Sequence, residues 1–168
     1  MLEHITLREC MEFAVATEER GAKIYSRLAN KFSSSQEIAQ IFTRLAEDEQ
    51  IHRQQFSELL KKAPADENIS SSPEKHEYVK AMSLSEFFSH DRGPFQEIEK
   101  NQDRTAALQM ALDFEKATLG FYKAVEDVLG KNELLNQVIE AEKNHIVALM
   151  KALLVEGSKF RGLQDTWP

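Results

Sequence analysis

Two short signatures constrain this chain more than any other feature: Glu49-Gln50-Ile51-His52 and Glu142-Lys143-Asn144-His145. Each sets a carboxylate and an imidazole three residues apart, which puts both on one face of a helix. Each also sits inside an apolar helical repeat. Around the first the stripe reads Ile38, Phe42, Leu45, Glu49, His52, Phe56, Leu59. Around the second it reads Leu135, Val138, Glu142, His145, Leu149, Ala152. Steps of three and four are the periodicity of a helix with one buried face. The polar pairs therefore fall on seams that should be apolar. Glu18 does the same within Met11, Val15, Ala22, Tyr25, Ala29, and Glu115 within Leu108, Ala111, Thr118, Tyr122, Val125, Leu129.

The surrounding signals delimit four long helices. Thr6 with Glu9 forms a capping box that opens a helix over about residues 7–30. Phe32 to Ser35 is a turn, and Ser34 with Glu37 offers a second capping box for a helix over 35–62. Asp103 is an acceptable N-cap for a helix over 103–129 that stops at Gly130. Asn132 can cap a fourth helix, over 132–156, that stops at Gly157. Asp48, Arg53 and Lys61 lie off the seam of the second helix, where solvated charges are expected. The tail from Ser158 carries Phe160 and Trp167 and would pack on the bundle or on a second subunit.

Residues 63–102 are the least regular part, with short helices expected around Glu74–Met82 and Leu84–Ser89 and a turn at Asp91-Arg92-Gly93-Pro94. A connection this long inside a compact domain needs a reason. If the second and third long helices run parallel, the chain must return along the whole bundle. A helix of about 24 residues is roughly 36 Å long, and the segment can cover that distance.

The long helices form an internal repeat. Glu18 precedes Tyr25 by seven residues, and Glu115 precedes Tyr122 by seven. Glu49-x-x-His52 matches Glu142-x-x-His145. The offsets are 115 − 18 = 97 and 142 − 49 = 93, so the halves align to within four residues. Each half is a hairpin, with Glu and Tyr on its first helix and Glu and His on its second. Two hairpins packed with pseudo-twofold symmetry bring all six groups to one level of the core. The expected fold is an all-α four-helix bundle, one domain spanning 1–168, with a long crossover between helices 2 and 3.

Composition excludes several function classes. A chain of 168 residues that is 42% hydrophobic and 29% charged suits one globular domain. A net charge of −7 argues against a nucleic-acid partner. No apolar run approaches a membrane span. The start, Met1-Leu2-Glu3-His4, lacks the basic and apolar regions of a secretory leader. The single cysteine, Cys10, excludes an internal disulfide or a Cys-x-x-Cys knuckle. A reducing, cytoplasmic location is expected.

Four carboxylates buried on the seams of one small bundle would be costly if ionised and uncompensated. Divalent cations compensate them and keep them ionised. The set Glu18, Glu49, His52, Glu115, Glu142 and His145 is therefore read as a dinuclear metal site. Oxygen and nitrogen ligands without thiolate suit iron or manganese, with zinc as a substitute. Tyr25 and Tyr122, two turns from Glu18 and Glu115, are candidate hydrogen-bond donors to the ligands. Taken singly, a Glu-x-x-His pair is a weak signal, seam histidines are often core residues, and seam tyrosines are usually packing. The repeat at matched spacing decides for the metal. His4, His76 and His90 are expected at the surface, and Cys10 lies away from the site without a role.

These motifs resemble the ferritin-like superfamily, and within it the rubrerythrin-type diiron proteins. The likeness covers all four long helices. It implies that Glu18, Glu49, His52, Glu115, Glu142 and His145 hold two irons, with Glu49 and Glu142 as bridges. It also implies a left-handed crossover between helices 2 and 3 and association into an oligomer, a dimer in the first instance. Two departures stand out. Typical rubrerythrins carry a rubredoxin-like domain with two Cys-x-x-Cys pairs, absent from these residues, so electrons would come from a separate donor protein. They also carry a further glutamate one turn along helix 3, where this chain has Ala111, Leu112, Thr118 and Leu119 around Glu115. The ligand set is closer to that of bacterioferritin. The expected function is redox chemistry on peroxide or oxygen. Iron handling by ferroxidation is one alternative, and a metal-free helical interaction module is the other.

Overall fold

The computed structural model describes residues 6–62, 73–83, 103–131 and 133–161. The described residues form five helices: α1 (Leu7–Lys31), α2 (Gln36–Lys62), α3 (Pro73–Ser83), α4 (Arg104–Leu129) and α5 (Glu133–Arg161). The four long ones make an all-α bundle in which α1 packs against α2 and α4 against α5. No described helix is long and apolar enough to cross a membrane.

Local chemistry sets most of the helix ends. At the start of α1 the Glu9 N–H donates to Thr6 Oγ1 at 3.1 Å, and the Thr6 N–H donates to Glu9 Oε2 at 2.7 Å. This is the expected capping box, and it satisfies two donors left over at a helix start. The Asp103 side chain caps α4 by accepting from the Thr105 N–H at 2.9 Å. Gly130 ends α4 with φ 79°, a left-handed backbone that a side chain would strain. Its N–H donates to the Glu126 carbonyl at 2.8 Å.

Three helix ends differ from expectation or lie out of view. The cap of α2 falls on Ser35, whose carbonyl accepts from the Ala39 N–H at 2.9 Å. The turn of residues 32–35 closes on itself through Ser35 N–H to Phe32 O, and the helix starts one residue later than a Ser34–Glu37 box requires. Gly157 does not stop α5, which continues to Arg161. A helical glycine costs only about 1 kcal/mol against alanine, which the helix absorbs. The proposed Asn132 cap, the short helix at 84–89, the turn at 91–94, His4, His90 and Trp167 lie outside the described residues, as does the side chain of Phe160.

Within the crossover, α3 starts on Pro73, a residue suited to a first helical position. It packs on α4 through Val79, which is fully buried. Lys75 Nζ donates to the Asp127 carbonyl at 2.8 Å. His76, expected at the surface, is buried at 6% exposure. The reason is the docking of α3: residues 76 and 79 are one turn apart and share the face that meets the bundle.

The core is layered with aromatic rings. Phe32 stacks on Phe42, Phe42 on Tyr25, and Phe114 meets Tyr25 edge-on, each pair at 6.1 Å between centroids. A second group joins Phe56 to Tyr122 at 5.1 Å, Tyr122 to Phe121 at 5.5 Å and Phe121 to Phe13 at 4.6 Å. Between the two tyrosine-centred layers lies the polar level of the bundle.

Candidate metal centre

All six seam ligands expected from the sequence meet at that level. α1 brings Glu18, α2 brings Glu49 and His52, α4 brings Glu115, and α5 brings Glu142 and His145. The four glutamates are 0–1% exposed and both histidines 5%. They fall into two overlapping groups, Glu18–Glu49–His52–Glu142 and Glu49–Glu115–Glu142–His145. Within each group the candidate ligand atoms lie within 4.8 Å of one another. Glu49 and Glu142 belong to both groups.

The imidazoles point their Nδ1 atoms inward. His52 Nδ1 is 3.3 Å from Glu18 Oε2 and 3.4 Å from Glu142 Oε1. His145 Nδ1 is 3.2 Å from Glu115 Oε2 and 3.7 Å from Glu49 Oε1. The rings lie face to face, 5.7 Å between centroids. The tyrosines cross over between the hairpins. The Tyr25 hydroxyl donates to Glu115 Oε1, and the Tyr122 hydroxyl donates to Glu18 Oε1. Each tyrosine thus serves the glutamate of the other half.

Electrostatics show how much this level lacks. Burial, and then the neighbouring carboxylates, push Glu49 and Glu142 well above the ordinary carboxylate range. Burial also acts upward on Glu115, but hydrogen bonds with His145, Glu142 and Tyr25 outweigh it and hold that group low. Burial acts downward on His145, yet Glu115 and Asp48 together raise it. Both tyrosines are pushed far up by burial and adjacent carboxylates, so they stay protonated as donors.

Even with these contacts, Glu18 Oε2, Glu49 Oε1, His52 Nδ1 and both oxygens of Glu142 are buried without a hydrogen-bond partner. Some approach within ion-pair distance, but their lone pairs converge on common space. Buried polar groups are rarely left so. Two divalent cations would satisfy all five atoms at once. The donors are hard oxygen and borderline nitrogen, which fits iron, manganese or zinc and not a thiolate-seeking ion.

Two further residues shape the site, and the sequence does not single them out. Asp48, expected among the solvated charges, sets Oδ2 3.2 Å from His145 Nε2. One position before Glu49, it is turned off the α2 seam toward α5, and only the packing of the two helices shows what it meets. Gly21, one turn after Glu18, lies under Glu49: a Cβ there would stand 3.2 Å from both Glu49 Cγ and Cδ. Thr118, one turn after Glu115, is buried and spends its hydroxyl on the Phe114 carbonyl at 3.0 Å. Cys10 is fully buried, and burial, aided by Glu9, pushes its thiol up to about 12.

A groove leads to this level. It has a volume of about 820 Å³, lies between α2 and α5, and is lined by Arg44, Asp48, Ile51 and Val147 at its rim and by His52 and His145 within. None of the four glutamates lines it. Of the six seam residues, only His52 and His145 line this groove.

Comparison with known proteins finds no matching curated protein and no matching solved structure. A family model described as Rubrerythrin matches residues 9–153, a span that holds all six seam residues and both tyrosines. On that match, which covers most of its length, the chain belongs to the rubrerythrin family.

Proposed function

We propose that this protein is a non-haem diiron protein that performs redox chemistry on peroxide or oxygen, with Glu18, Glu49, His52, Glu115, Glu142 and His145 as the ligands of two irons. The observation that carries the proposal is the set of five buried, unsatisfied ligand atoms on Glu18, Glu49, His52 and Glu142. Two bound Fe(II) ions would supply the two electrons that, with two protons, reduce one hydrogen peroxide to two waters, and a separate donor protein would restore them. Within the same proposal, Glu49 and Glu142 would contribute to both halves of the site, and the other four residues to one half each.

The chain's own residues prepare the site. Tyr25 and Tyr122 each hold one oxygen of a terminal glutamate, leaving the other directed inward. This fixes the carboxylates before any ligand arrives. The aromatic layers keep bulk water from both ends of the level. A molecule as small as peroxide or oxygen can approach along the groove and past the histidine edges.

The test is metal content after anaerobic Fe(II) loading and desalting, beside a Glu49→Ala/Glu142→Ala double variant. About two irons per chain in the parent and far fewer in the variant are expected. Equal retention in both sinks the ligand assignment. Stopped-flow mixing of the reduced protein with peroxide then tests the reaction, and oxidation no faster than that of free Fe(II) removes the redox reading.

A further inference from the structure

The two halves of the site are alike in their ligands and unlike in what supports them. Residues 48 and 141 are 93 apart, the same offset as Glu49 to Glu142 and His52 to His145. They are equivalent positions of the duplicated hairpins, and both line the groove between α2 and α5. At one stands Asp48, whose Oδ2 meets His145 Nε2 at 3.2 Å. At the other stands Ala141, whose methyl side chain has no polar atom to offer His52. Among the described residues no carboxylate accepts from the Nε2 of His52.

From this broken symmetry we infer that the two metal positions are unequal, the one bounded by Glu115 and His145 binding first and more tightly than the one bounded by Glu18 and His52. The inference rests on the diiron reading above. Its physical basis is the second nitrogen of the ring. When Nε2–H donates to a carboxylate, the proton is fixed there and the Nδ1 lone pair is left for a cation. The carboxylate also makes the ring more basic and holds its orientation. His145 has this support and already aims Nδ1 at the cluster. His52 aims Nδ1 the same way without it. Asp48 is held in turn near Arg44, whose Nε lies 4.0 Å from the same Oδ2. The weaker position is the one that would empty and refill as metal supply changes.

The test is a Mn(II) titration in which free Mn(II) is counted by its paramagnetic resonance signal. The parent should bind two Mn(II) in two resolved steps. Asp48→Ala should weaken the tighter step by about 10- to 100-fold and bring the steps together. Ala141→Asp should tighten the weaker step by about tenfold and also narrow the gap. The second variant guards against the first acting through folding, since it predicts a gain. One unresolved step in the parent, or two steps indifferent to both changes, overturns the inequality and leaves the metal centre standing. No Mn(II) bound by the parent sinks the metal centre itself and the inequality with it.

Discussion

The hydroxyl of Tyr25 on α1 donates to Glu115 on α4. Its counterpart, Tyr122 on α4, donates to Glu18 on α1. Each tyrosine follows its own helix's glutamate by seven residues, so the crossed pairing requires α1 and α4 to run antiparallel. α2 turns back on α1 through a short loop and so runs parallel to α4. That geometry demands the long connection between them. The same bonds should matter to metal binding. Tyr25→Phe removes the donor and leaves the buried Glu115 oxygen bare, at a cost of about 1–3 kcal/mol. The expected result is metal affinity lower by about tenfold or more with the helical content unchanged. Calorimetric titration with Mn(II) beside Tyr122→Phe checks it, and an unchanged affinity in both would leave the tyrosines as packing alone.

Gly21 leaves room for Glu49 rather than bending the chain. It is helical, so alanine there should favour the helix by about 1 kcal/mol. The added Cβ would stand 3.2 Å from Glu49 Cγ and Cδ, and the carboxylate must move by a few tenths of an ångström. Gly21→Ala should therefore lower metal retention to nearer one ion per chain without unfolding the metal-free bundle. Gly157→Ala is the control, since a Cβ there meets nothing within 4 Å. It should raise the melting temperature by about 2–4 °C and leave metal content alone. Metal analysis and thermal melts of the two variants, side by side, separate helix propensity from crowding of the ligand.

How much of this is legible in residues alone depends on where the information lies. Seam positions are set by spacing within one helix, so Glu18, Glu49, His52, Glu115, Glu142 and His145 can be picked out in advance, and the structure brings all six to one level. The repeat also makes the hairpin pairing readable. Asp48 is different, because its contact is with a helix 97 residues away, and a charge just off a seam reads as solvated until the neighbour is placed. His76 is missed for the same reason, since the docking of α3 on α4 cannot be read from a short, weakly patterned segment. Gly21 carries no positive signal at all, because what matters is the atom it lacks.

Cys10 should be inert to thiol reagents in the folded protein. It is fully buried, and its thiol is pushed up to about 12. Near pH 8 an aromatic disulfide reagent should find no reactive thiol in buffer and one per chain in strong denaturant. Because the folded value lies above the ordinary 9.0, the unfolded chain ionises first as pH rises. The thiol therefore has no effect on stability below about pH 9 and lowers it progressively between there and about 12. Cys10→Ser, which does not ionise in that range, should flatten this part of the alkaline stability profile. Rapid labelling of the native protein at pH 8 would refute the burial argument.

Glu49 and Glu142, shared by both candidate ligand groups, set stability against the proposed function. In the metal-free protein Glu49 and Glu142 are buried among other carboxylates, and three of their four oxygens have no hydrogen-bond partner. Glutamine has the same shape, carries no charge, and its amide donates to the acceptors that crowd this level. Glu49→Gln/Glu142→Gln should therefore raise the melting temperature of the metal-free protein, by a few degrees if it relieves about 1–3 kcal/mol. The parent should overtake it on adding metal, because a ligand held at about 100 times its dissociation constant stabilises by about 2.7 kcal/mol and the variant lacks the two carboxylate charges that would hold it. A chelator should then reverse the order of the two melts. If the variant melts lower than the metal-free parent, the carboxylates are not in conflict with folding, and packing at this level outweighs their charge.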